Sequence, residues 1–181
     1  MNDELKALFD ADRHERIHLI HDEAYYEALR VHDEERRLRA QAILDEGGVL
    51  DAEDYLHAAV LFHHGPTTDD IWLAHTLALK SVELGSQDPE ARWLSAAALD
   101  RWLMHSGKPQ KYGTQYLWDR TRYRVWDVEP EITDADRAEW NVIPLAEQIQ
   151  QVAEESRDRP PMPVSEDAPQ WLKDALKKWG V

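Results

Sequence analysis

The chain has no cysteine. That removes disulfides, thiolate nucleophiles and cysteine-ligated zinc or iron–sulfur sites. It has no apolar run long enough to span a bilayer and no signal-peptide pattern, so a cytoplasmic protein without a membrane partner is expected. Cations are scarce. Twenty-one Lys and Arg face 36 Asp and Glu, and the net charge of −15 argues against a nucleic-acid partner. There is no phosphate-binding Gly-rich loop, nucleophile elbow, dinucleotide fingerprint or HExxH. No cofactor is expected, and a nucleophile would have to be an unadvertised Ser, Thr or Tyr.

What is present reads as helix. With 181 residues the chain can build one core and a small appendage. Residues 2 to 46 carry apolar residues at Ile17, Ile20, Ala24, Ala28, Val31, Leu38, Ala42 and Ile43, one face of a 3.6-residue period. A break is expected near Asp10–Asp12, with Asp12 as N-cap and Glu15 three residues on. Asp51 caps a second helix that Gly65-Pro66 stops, Thr67 or Thr68 opens a third, and Asp88-Pro89 opens a fourth that ends at Gly107. Stops at Gly65, Gly85 and Gly107 space these segments almost evenly, as in stacked helix hairpins.

Tyr116-Leu117-Trp118 and Tyr123-Arg124-Val125-Trp126 then read as a short β-hairpin. Thr133 and Pro144 open two further helices, and Trp171, Leu172, Ala175, Leu176 and Trp179 mark a last amphipathic one. The expected fold is therefore mostly α: antiparallel, repeat-like helix hairpins with one small β-hairpin. The expected domains are a helical body over 1–156, a Pro-rich linker over 157–167 and a C-terminal helix over 168–181. The linker has little to bury, so the last helix reads as separable.

The loop Gly107-Lys108-Pro109-Gln110-Lys111-Tyr112-Gly113-Thr114-Gln115 lies between the most apolar helix and the hairpin. Gly and Pro restrict its shape, and Gln and Tyr give it directional hydrogen-bonding groups. Just before it, Asp100 shares a helical stripe with Trp93, Ala96, Ala97, Leu103 and Met104. A carboxylate there must be paired or hydrogen-bonded. It either braces the loop or acts as an acid/base or ligand anchor.

Arg101, Lys108, Lys111, Arg120, Arg122 and Arg124 form a basic island around loop and hairpin. In so acidic a chain this suggests an anion site, or a dock for an acidic segment of the same chain. His63-His64 closes the second helix, either as a C-terminal cap or with one imidazole in the cleft. His14, His18 and His21 form a stripe on the first helix. His14 and His18 at i, i+4 have chelating spacing, but no matched carboxylate set accompanies them, so no metal ligand is assigned.

The residues Asp100-Arg101, Gly107-Lys108-Pro109-Gln110 and Tyr112-Gly113-Thr114-Gln115 resemble a bacterial domain family of unknown function. Its members carry a DR pair, a GxxQxYGTQ loop and a Gln-His pair ending an earlier helix. His64 takes the His position and His63 replaces the Gln. Gly47-Gly48-Val49 stands where the family often shows Gly-Trp-Pro. The resemblance covers roughly residues 33 to 145 and implies a helical fold with no activity to transfer.

These readings converge on a helical protein that binds a small anionic molecule or a peptide at the 107–115 loop. Gln110, Tyr112, Gln115 and His63 would give hydrogen bonds, Arg101 and Arg122 charge, and Trp118 and Trp126 an apolar wall. One alternative is an enzyme using Asp100 or His64 as acid/base on a peptide or metabolite. Another is a scaffold for a protein partner. Eight Trp, more than a core of this size needs, suit a binding surface.

Overall fold

The computed structural model describes residues 1–18, 23–49, 51–157 and 163–181. Among these it contains eight helices, packed in contacting pairs, and one antiparallel hairpin. The chain divides into two compact units, Met1–Ser95 and Ala96–Val181. The boundary thus falls within a helix rather than after residue 156.

In the first unit, α1 (Asp3–Ile17) starts from Asn2, whose side chain accepts the Leu5 N–H. Asp12 is therefore not an N-cap. The helix runs through it, and its side chain is fully buried. α2 (Glu23–Asp45) follows; Ile20 and His21 lie outside the described residues. α3 (Ala52–His63) is capped by Asp51, as expected, and α4 (Thr68–Glu83) by a reciprocal box between Thr67 and Asp70. α3 and α4 form the main hairpin of this unit. Its core includes Leu56, Ala59, Val60, Ile71, Ala74, Leu77 and Ala78, where small Ala side chains let the two axes approach.

Of the expected stripe α2 buries Ile43, but leaves Ala24, Ala28, Val31 and Leu38 exposed. Val31 is 55% and Leu38 66% exposed, and Ile17 of α1 is 77% exposed. The buried residues of α2 are Leu29, Arg36, Ala40 and Ile43. Their spacing of seven, four and three is equally helical, but it places an Arg on the inner face.

α5 (Pro89–His105) contributes its first part to the first unit and the rest to the second. In the second unit, β1 (Tyr116–Trp118) pairs with β2 (Tyr123–Val125), Tyr116 opposite Val125 and Trp118 opposite Tyr123. The turn between them has no Gly. The buried Asp119 closes it, accepting the Thr121 and Arg122 backbone N–H groups, the Thr121 hydroxyl and the Arg124 guanidinium. Arg120 takes the left-handed position, at φ +82°. This is turn chemistry in which an Asp side chain replaces the usual Gly signal.

α6 (Asp134–Glu139) and α7 (Leu145–Ser156) come next, and α7 packs on β2. Residues 158–162, within the expected linker, lie outside the described residues. α8 (Gln170–Trp179) buries Ala175 and Leu176. Its Trp171 and Trp179 meet Trp126 edge-on, at ring centroids 5.6 and 5.4 Å apart. Met104, Trp126 and Ala175 form one core cluster, with Leu117 and both of these Trp packed on it. The last helix is part of the second unit's core, not an appendage. No helix among the described residues is long and apolar enough to cross a membrane.

Candidate functional site

The loop expected to form a cleft is organised around one carboxylate. Asp100 is fully buried. Its Oδ1 accepts the Lys111 and Tyr112 N–H groups at 2.7 and 3.0 Å. Its Oδ2 accepts the Thr114 N–H at 3.1 Å and the Thr114 hydroxyl at 2.9 Å. Burial pushes the Asp100 carboxyl above its ordinary value, and the hydrogen bonds from the loop oppose that rise. Both oxygens are thus engaged by the loop itself.

Gln110 is also fully buried. Its amide donates to the carbonyls of Gln115 and Trp126 at 2.9 Å each, and its Oε1 accepts the Gln115 N–H. Gln115 donates through Nε2 to the Ala97 carbonyl. The Tyr112 carbonyl accepts from Arg137 and Gln148, and its ring lies 6.1 Å from that of Trp140. Gly113 sits at φ +90°, and a Cβ there would come 2.8 Å from Leu145 Cδ1. Asp100, Gln110 and Gln115 therefore hold the loop.

Two members of the basic island turn toward Asp119. Arg124 Nε lies 2.9 Å and Arg122 Nε 3.8 Å from Asp119 Oδ2. The Arg124 guanidinium also covers the Trp179 ring at 4.8 Å, and Lys108 lies over Trp102. Trp118 meets Tyr123 edge-on at 5.1 Å. Arg101 is half-buried, and its charge helps hold His105 low.

A groove of about 570 Å³ opens where the loop begins. It is lined by Ser106, Gly107, Trp126 and Asp127 and by Gln170, Trp171, Asp174 and Lys178 of α8. These α8 positions share one helix face, and their span of eight residues makes the groove about 12 Å long. Trp126 is fixed by its indole N–H, which donates to the Lys108 carbonyl at 2.7 Å. His105 stacks on Trp171 with centroids 5.0 Å apart. Burial, aided by the charge of Arg101, pushes His105 down to about 4, so it is neutral at pH 7. At the rim Asp127 pairs with Lys178 and accepts the Trp179 indole N–H. Of the expected site residues, the groove includes Trp126.

His63 and His64 belong to the first unit and end α3. Their rings are 5.9 Å apart. His64 faces a charged cluster that sequence reasoning missed. Asp12 Oδ1 lies 3.1 Å from His64 Nδ1, and Arg16 Nε lies 3.1 Å from that nitrogen. Arg16 Nη2 reaches both Asp33 oxygens at 2.9 Å. Arg36 bonds Asp33 and pairs with Glu15. Burial works to raise the Asp12 carboxyl, but His64, Arg16 and Arg36 outweigh it and hold the group below its ordinary value. The available signal is the pair of charged helical spacings Asp12–Arg16 and Asp33–Arg36.

The chain matches no family model, no curated protein and no solved structure.

Proposed function

We propose that the chain is a binding protein that takes a small molecule or short peptide with a flat apolar part into the groove beside the 107–115 loop. The observation that carries this reading is the Trp126–Trp171 corner, with neutral His105 stacked on Trp171. A volume of about 570 Å³ lies within the range of ligand sites, and a few polar groups at the rim would orient the guest. The loop's role is indirect: it fixes the Lys108 carbonyl, which fixes the Trp126 indole.

An anionic guest has less support than an apolar or aromatic one. Arg122 and Arg124 turn to Asp119, and the groove rim carries Asp127 and Asp174 beside its Lys178. Catalysis by Asp100 has no support either, since no substrate can reach a carboxylate enclosed by loop donors.

Indole and blocked aromatic dipeptides are suitable probes, followed through the indole N–H resonances of the Trp side chains. Saturable shifts of Trp126 and Trp171, weakened roughly tenfold or more in Trp171→Ala, are expected. Shifts confined to other Trp residues would remove the groove as the site.

A further inference from the structure

The Asp12–Arg16–His64 triangle crowds its polar contacts onto one oxygen of Asp12. The Arg16 Nε–H points at His64 Nδ1, which must then present a lone pair. Asp12 Oδ1, another acceptor, sits 3.1 Å from that same nitrogen. If Nδ1 instead carries the proton for Asp12, the Arg16 Nε–H, 3.3 Å from Asp12 Oδ1, can turn to that same oxygen. The first assignment sets two acceptors against each other, and the second gathers both donors on Oδ1. Asp12 Oδ2, by contrast, is buried and has no hydrogen-bond donor among the described residues. Such an oxygen is costly to leave unsatisfied.

A metal ion bound by both oxygens of Asp12 would give the orphaned Oδ2 a partner. A cation about 2.0–2.2 Å from an imidazole nitrogen and a carboxylate oxygen places those two ligands roughly 3.0–3.5 Å apart. The Asp12–His64 separation of 3.1 Å matches. Asp33 brings a third ligand, and one ligand atom from each of the three residues lies within 4.8 Å of the others. The three come from α1, α2 and the end of α3, so the cluster is set by the packing of those helices. Arg36, bonded to Asp33 and Glu15, would orient a ligating carboxylate from outside. Arg16 now holds the cation position: its guanidinium touches His64, Asp12 and Asp33 at once. Its side chain is 23% exposed, so it has a way out to solvent.

We propose that Asp12, Asp33 and His64 form a site for one divalent transition-metal ion of the zinc type, for which Arg16 is the internal competitor. Two carboxylates and an imidazole, with no thiolate, suit zinc, manganese or ferrous iron rather than copper(I). The site is independent of the groove in the second unit.

The test uses the full chain, stripped with chelator and desalted. It is titrated with zinc chloride by calorimetry and with cobalt chloride by visible absorption. One equivalent should bind, with a cobalt band that zinc abolishes. His64→Ala and Asp12→Asn should each weaken binding tenfold or more. Arg16→Ala should bind at least as tightly as the parent, because the competitor is gone. An ion-pair network that takes no metal would give no saturable binding in any of these proteins, which overturns the proposal. Binding that survives His64→Ala but is lost in a His14→Ala/His18→Ala double variant overturns it too, since those rings lie 4.4 Å apart on α1 and offer a surface alternative. Weaker binding in Arg16→Ala would refute the competitor role. His64 is partly exposed, so His64→Ala keeps the test open if Asp12→Asn does not fold. Far-UV circular dichroism checks each variant.

Discussion

The Thr114 hydroxyl and the Thr114 N–H both donate to one oxygen of Asp100, at 2.9 and 3.1 Å. One residue of the loop thus satisfies most of that oxygen, while Lys111 and Tyr112 satisfy its neighbour. The expectation that a buried Asp100 would be met by loop N–H groups is what the geometry displays.

Asp100→Asn keeps the shape but turns one acceptor into an N–H₂ group facing N–H donors. A loss of about 2–3 kcal/mol is expected in urea unfolding, the scale for hydrogen bonds to a charged group. An unchanged midpoint would mean that the carboxylate does not hold the loop.

Gly113→Ala should destabilise by about 1–3 kcal/mol, for two reasons that act together. The residue occupies φ +90°, which Ala adopts poorly, and the new Cβ would press on Leu145 Cδ1. Gly85 is the control. It also has positive φ, but a Cβ there meets nothing within 4 Å, so Gly85→Ala should cost less.

Acid should act through Asp119 in a narrow window. Burial favours the neutral form, but the hydroxyl and backbone of Thr121, the Arg124 guanidinium and the Arg122 backbone outweigh it and hold the carboxyl at about 2. A depressed carboxylate stabilises the fold above its unfolded value near 3.8, and that stabilisation disappears as pH falls through about 2. The expected contribution is about 2 kcal/mol. Asp119→Asn should flatten the stability curve between these two values. An unaltered curve would show that the hairpin turn does not depend on the charge.

His105 acts at higher pH with the same sign. Its imidazole falls from 6.5 to about 4, so the unfolded chain binds the extra proton between those values. Stability is full above 6.5 and declines as pH drops through 4, by about 1–2 kcal/mol after allowing for partial exposure. His105→Gln should remove this slope and lower stability at pH 7, since Trp171 loses its stacked partner. A slope that persists in the variant would assign it to another group.

Removing residues 163–181 should lower the thermal midpoint by several degrees or more. Ala175 and Leu176 leave the core, and Trp126 loses both edge-on partners. Trp171→Ala alone should cost about 2 kcal/mol, less than a fully buried Trp. A truncated chain with an unchanged midpoint would restore the picture of a tethered, separable helix.

Helix positions were legible because caps and stops are local. Asp51, Thr67, Thr133 and the stops at Gly85 and Gly107 mark ends by chemistry that acts over three or four residues. The inner face of α2 was not legible. Leu29, Arg36, Ala40 and Ile43 have the same helical period as the expected stripe, and an inward Arg36 is stabilised by Asp12 and Glu15 of α1 and Asp33 of α2. Asp12 failed for a related reason. Its spacing to Glu15 imitates a capping box, whereas the true cap is Asn2. The docking of α8 depends on Trp126, more than forty positions earlier in the chain, and no local pattern reports a contact of that kind.

The Asp100 clamp makes sequence tolerance lopsided. Three of its four donors, at Lys111, Tyr112 and Thr114, belong to the main chain. Exchanging the side chains at 111 and 112 for anything but Pro leaves those donors in place. No exchange at 100 keeps two charged oxygens at the same reach, since Glu is one methylene longer. Positions 111 and 112 are free to drift in sequence while the anchor is not. The loop amides at 111, 112 and 114 should also resist deuterium exchange as helix interiors do, although they lie in no helix and no strand.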